Sequence, residues 1–113
     1  MIKRIGFFSL FLLATVPATA ASKQYGVIGI GNRSCGSWIA DRKEAGFPAL
    51  VDLAWVEGFL TAMDHENGKV NASIHKTDAD GIAAWVDNYC AAHPLNDLSR
   101  ASEELAISLS NKG

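Results

Sequence analysis

The stretch Ala49-Leu-Val-Asp-Leu-Ala-Trp-Val-Glu-Gly-Phe-Leu-Thr-Ala-Met-Asp-His65 decides the fold. Apolar side chains fall nearly all round a helix at Leu50, Val51, Leu53, Ala54, Trp55, Val56, Phe59, Leu60 and Met63. Polar positions form only a narrow stripe at Glu57, Thr61 and Asp64, with Asp52 near the start. Such a helix is expected at the buried centre of a bundle. Three acids in the stretch exclude a membrane span. Gly58 and Ala62, four apart, would let a neighbouring helix approach closely. Glu66-Asn67-Gly68-Lys69 stops the helix, and 66–76 is expected to be a polar loop.

The segments on either side carry the helical period too. Before it, Cys35, Trp38, Ile39 and Arg42 share one stripe, which predicts a helix from about Ser34 to Lys43 with Ser34 as its cap. Gly46 ends that segment, and Pro48 suits the first turn of the next. After it, Thr77 is expected to cap a third helix, with Asp80 completing a variant capping box. Ile82, Val86, Tyr89, Cys90 and His93 form its apolar stripe, and Trp85 lies beside it. Pro94 breaks that helix or starts a fourth, in which Leu95, Leu98, Ala101, Ser102, Leu105 and Leu109 recur at helical spacing. The expected fold is all-α: a small four-helix domain over residues 34–113. An extended N-terminal arm over 21–33 precedes it, since Tyr25-Gly-Val-Ile-Gly-Ile-Gly31 carries three glycines that discourage helix. The G-x-G within it lacks the third glycine and the βαβ context of a dinucleotide site.

Residues 1–20 read as a signal peptide. Lys3 and Arg4 are followed by an apolar run from Ile5 to Val16, and Pro17-Ala-Thr-Ala20 supplies the small residues of a cleavage site. That run is too short for a stable anchor, and no lipobox cysteine follows it. The style of the signal suggests a bacterial periplasm, with no membrane association after cleavage. Cleavage removes Lys3 and Arg4, leaving 8 bases against 12 acids, a net charge of −4. An acidic domain of this kind is a poor fit to nucleic acid.

The two cysteines, Cys35 and Cys90, allow one intramolecular pairing, and an exported chain is expected to form it. Closing a loop of that length stabilises a domain by about 4 kcal/mol in the chain-entropy model. The spacing excludes a CxxC redox pair. Trp38, Trp55 and Trp85, one per helix, are expected to pack the core around the bridge, together with Phe59 and Tyr89.

Residues suited to chemistry are scattered. His65, His75 and His93 have no tight ligand spacing, so no metal or other cofactor is expected. Asp78-Ala-Asp80-Gly81 has an apolar Ile82 where a calcium loop needs a ligand, so a helix cap is the better reading. Glu57 near Trp55 lacks a second catalytic group at a telling spacing, and nothing in the sequence joins Ser37 and His93 into a triad. No catalytic residue is assigned, and the chain is not expected to be an enzyme.

Ser34-Cys-Gly-Ser-Trp38, Trp55-Val-Glu-Gly-Phe-Leu60 and Asp80-Gly-Ile-Ala-Ala-Trp-Val-Asp-Asn-Tyr-Cys90, with His93-Pro-Leu95, resemble a group of small exported bacterial proteins of unknown function. Through them the chain is similar to the HdeA-like class of helical periplasmic proteins. That class includes acid-stress chaperones and the immunity proteins of type VI secretion amidases. The similarity covers most of 34–109, and its motifs are structural. The resemblance to immunity proteins implies a non-catalytic module that binds another periplasmic protein through its acidic surface and the 66–76 loop. The alternative it implies is an acid-stress chaperone. With its carboxylates protonated, the mature chain would carry a side-chain charge near +11, from 8 bases and 3 histidines, and self-repulsion would loosen the bundle. A homodimer is a further expectation, with helix two as the interface if its second apolar face is left uncovered.

Overall fold

The computed structural model describes residues 25–67, 74 and 76–112. The expected signal peptide and cleavage site, residues 21–24 of the expected arm, His75 and most of the expected 66–76 loop lie outside the described residues. Among the described residues four α-helices follow a 3-10 turn at Gly29–Asn32: α1 Cys35–Glu44, α2 Phe47–Asn67, α3 Ala79–Ala92 and α4 Leu98–Ser110. No strand occurs among the described residues, only one isolated antiparallel bridge between Ser34 and Asp97. The fold is therefore the all-helical domain expected from the sequence.

Local chemistry sets the helix boundaries. Ser34 caps α1 by accepting from the Ser37 N–H. Ala45 in the left-handed conformation, at φ 52°, closes α1 and turns the chain into α2. Asp78, not Thr77, caps α3, its carboxylate accepting from the Gly81 N–H at 2.8 Å. A carboxylate is the stronger acceptor at the positive end of a helix, which explains the shift by one residue. Asp97 does the same for α4, accepting from the Arg100 N–H at 2.9 Å. The fourth helix therefore starts at Leu98. Leu95, expected on its apolar stripe, lies in the preceding turn and is 97% exposed.

The core is built where the stripes meet. Cys35 and Trp38 from α1, Val56 and Leu60 from α2, and Ile82, Ala83, Val86 and Cys90 from α3 are buried with Leu98, Ala101, Leu105, Ala106 and Leu109 of α4. Trp55, Phe59, Trp85 and Tyr89 are half-buried and pack against this cluster, while Trp38 is fully buried. The bridge joins Cys35 to Cys90 with Cα atoms 4.8 Å apart. One turn further along, the Trp38 indole N–H donates to Asp87 Oδ1 at 2.7 Å, so α1 and α3 run antiparallel. Arg42 then clasps both oxygens of Asp87 and lies over the Trp38 ring.

Two expectations need correction. The arm is extended only as far as Ile28, after which Gly29 at φ 77° starts the 3-10 turn. Gly31 is buried because the Trp55 ring occupies the space where a side chain would stand, and the Trp55 N–H donates to the Ile28 carbonyl at 3.0 Å. Nor is α2 buried all round. Phe47 and Leu50 are 76% and 65% exposed, and Ala54 and Gly58 face outward with them. A four-helix domain this small has too few elements to cover the whole circumference of its longest helix.

Candidate functional site

The arm, α2 and the start of α4 enclose an open groove of about 840 Å³. Its apolar side is Val27 from the arm with Phe59 and Met63 from α2. Each is where it is because α2 turns its 56–60–63 face towards α4 and the arm is pinned beneath Trp55. The rim is the α3–α4 turn, which carries the projecting Leu95 beside Asn96 and Asp97. That turn is held firmly. Asn96 donates from its side chain to the Tyr89 hydroxyl at 2.8 Å, and its carbonyl accepts from the Cys35 N–H at 2.7 Å. The polar wall is Ser99, Arg100 and Glu103 on the first turns of α4, with Arg100 bound to Glu103 at 2.9 Å. Tyr25 closes the groove from the arm, its phenol pushed up by burial and by the nearby Glu103 carboxylate.

A second arrangement fixes the frame on which the groove depends. Arg33, between the 3-10 turn and α1, reaches Asp41 of α1 at 2.6 Å and Asp52 of α2 at 3.4 Å. Asp52 has no exposed side-chain surface, and its Oδ2 has no hydrogen-bond partner among the described residues. Burial pushes the Asp52 carboxyl up to about 6, against the pull of Arg33, and the neighbouring Asp41 carboxyl adds to the rise. The Arg33 carbonyl accepts from the Leu98 N–H at 3.0 Å, so one residue ties the arm, α1, α2 and α4 together.

The residues singled out for chemistry are committed elsewhere. Ser37 shares a hydrogen bond with Ser34, and His93 bonds the Tyr89 carbonyl while its ring stacks on Tyr89 at 4.3 Å. Glu57 is half-buried, and its backbone carbonyl accepts from the Thr61 hydroxyl. Asp78 spends its carboxylate on the α3 cap. Trp85, Tyr89 and His93 instead form one stacked ladder along α3, which the i, i+4, i+8 spacing could have revealed. Trp85 lines a smaller cleft of about 320 Å³ between α3 and α4, with Lys76 and Lys112 at its edge. Sequence reasoning missed the groove residues of the turn and the Arg33–Asp41–Asp52 cluster. Neither has a signal in spacing, because each joins positions from different elements.

This architecture defines a class: a single-disulfide, all-α domain whose helices frame a groove with an apolar floor and a polar wall. Compared with protein-family models, with curated proteins and with solved structures, the chain gives no match.

Proposed function

We propose that this protein is a non-catalytic binding module that engages another protein outside the cytoplasm, in the periplasm of a bacterium. The groove carries the reading. Phe59, Met63 and the projecting Leu95 offer apolar anchoring, and Asn96, Ser99, Arg100 and Glu103 offer hydrogen bonds around it. An apolar centre with a polar rim is the anatomy of a protein interface. The bridge and the Arg33 cluster hold both sides of the groove in place before anything binds, which lowers the ordering cost of association. A structural disulfide favours an oxidising compartment, in line with the signal-like N-terminus. The resemblance to immunity proteins points the same way.

The acid-chaperone alternative draws less support. A carboxyl raised to about 6 makes the folded chain take up a proton more readily than the unfolded one, so Asp52 resists loosening as pH falls from 7 to 4.

The test is capture from periplasmic extract, and with any hydrolase encoded beside the gene, using wild type and Leu95→Asp. Leu95 is almost fully exposed, so the variant keeps the fold. A partner held by wild type and lost by Leu95→Asp supports the proposal. No partner, or one held equally by both, refutes it.

A further inference from the structure

Trp85, Tyr89 and His93 stack one on the next along α3, with ring centroids 5.4 Å and 4.3 Å apart. The ladder places its rings at i, i+4 and i+8, and the rung before Trp85 falls at Gly81, which has no ring to offer. A side chain cannot stand there without moving Thr77, whose hydroxyl lies 2.6 Å from where a Cβ at Gly81 would be. Tyr89 covers Trp85 from the C-terminal side. The indole face on the N-terminal side is left to the cleft that Thr77 and Gly81 also line.

That cleft, about 320 Å³ between α3 and α4, has an apolar floor of Ile82, Leu105 and Leu109, all buried members of the core. At its edge stand Lys76, from the segment before α3, and Lys112, just past the end of α4. Neither lysine pairs with an acid among the described residues, whereas Arg33, Arg42 and Arg100 each do. No carboxylate is among the described residues lining the cleft, and Asp78, the acid nearest Lys76 along the chain, spends its own on the α3 cap. On a chain whose acids outnumber its bases, two unopposed cations at one apolar cleft are a local reversal of charge.

We infer that this cleft binds a small planar aromatic anion. Its ring lies on the open face of Trp85 as the missing rung, above the apolar floor, and its anionic group meets Lys76 and Lys112. Offset stacking is an arrangement that aromatic pairs favour. The features select this occupant together. An uncharged ring leaves both lysines without a counter-charge, and an acyl chain leaves the indole face without a flat partner. The volume is at the small end for ligand pockets, which suits one or two fused rings. The cleft shares no residue with the groove, so this inference stands apart from the protein-binding reading above.

The probe is 2-naphthoate, titrated into the disulfide-bonded mature protein labelled with nitrogen-15 and followed by its tryptophan indole N–H signals. The Trp85 signal should shift and saturate with a Kd below about 1 mM, as ordinary ligand efficiency gives for a molecule of that size. The Trp38 and Trp55 signals should hold still, since their N–H groups are bonded to Asp87 and to the Ile28 carbonyl. Lys76→Gln with Lys112→Gln should weaken binding about five-fold; both side chains are exposed, so this variant keeps the fold. Trp85→Leu, which keeps an apolar group against the core, should abolish saturation, with circular dichroism confirming that it folds. Leu95→Asp, in the groove, should bind as wild type does. A Trp85 signal that never moves overturns the inference, and so does equal affinity in the double glutamine variant. Uncharged 2-naphthamide binding as tightly as 2-naphthoate overturns the role of charge and with it the inference. Decanoate binding more tightly than 2-naphthoate overturns it too, and assigns the cleft to an acyl chain.

Discussion

Asp87 receives the indole N–H of Trp38 at 2.7 Å one helical turn from the Cys35–Cys90 bridge. The same carboxylate holds the Arg42 guanidinium, whose pKa it raises through the hydrogen bonds it accepts. The covalent link and the polar clasp thus act on the same helix pair, α1 and α3. Replacing Asp87 with Ala strands the N–H of a fully buried tryptophan. The expected loss is about 2 kcal/mol by urea denaturation, with Asp87→Asn keeping part of it. A change under 0.5 kcal/mol would mean the bond contributes nothing net.

The bridge closes a loop of 55 residues. Cys35→Ser with Cys90→Ser, or full reduction, should lower unfolding free energy by about 4 kcal/mol in the chain-entropy model. Thermal melts in oxidised and reduced buffer read this directly. Equal midpoints would show that helix packing alone sustains the domain.

Asp52 predicts a pH dependence with a definite sign. Its folded pKa, about 6, lies above the ordinary 3.8 of the unfolded chain. Stability from this group is fully present below about pH 4. It is lost as pH rises towards 6, and the cost of the buried charge is complete above that. The upper bound is about 3 kcal/mol, at 1.36 kcal/mol per pH unit. Melting temperature should therefore rise from pH 7.5 to pH 5, and Asp52→Asn should flatten that rise while leaving Arg33 its ion pair with Asp41. A wild type and variant with parallel pH profiles would show that the cluster is not the source.

Gly31 sits where any side chain would overlap the Trp55 ring. Gly31→Ala should push the 3-10 turn off α2 and destabilise the chain by about 1–3 kcal/mol, as overpacking does elsewhere. Trp55 fluorescence should report increased water exposure. An unchanged spectrum would mean the arm shifts without cost. Gly31→Ala with Trp55→Phe should recover part of the loss, because the smaller ring vacates the contested space.

The four helices were legible in the chain because each has its own period and cap. Ser34, Pro48 and the apolar positions of α4 from Leu98 onward mark their elements without reference to anything distant. The cysteine pair was legible because two thiols admit one pairing. What failed was the reading that α2 is buried all round, which depends on how many faces its neighbours cover. α2 looks apolar all round, yet Leu50 is exposed while Asp52, two residues on, is buried.

The sequence by itself determined the all-helical class, the approximate helix limits and the cross-link, because those depend on neighbours in the chain or on a count of thiols. Tertiary structure alone decided that Arg33, Asp41 and Asp52 share one site, that Leu95 projects at the rim of a groove, and that one side of α2 is left outward. These outcomes follow from how helices of fixed length cross and how much surface four of them can cover, which no local pattern encodes.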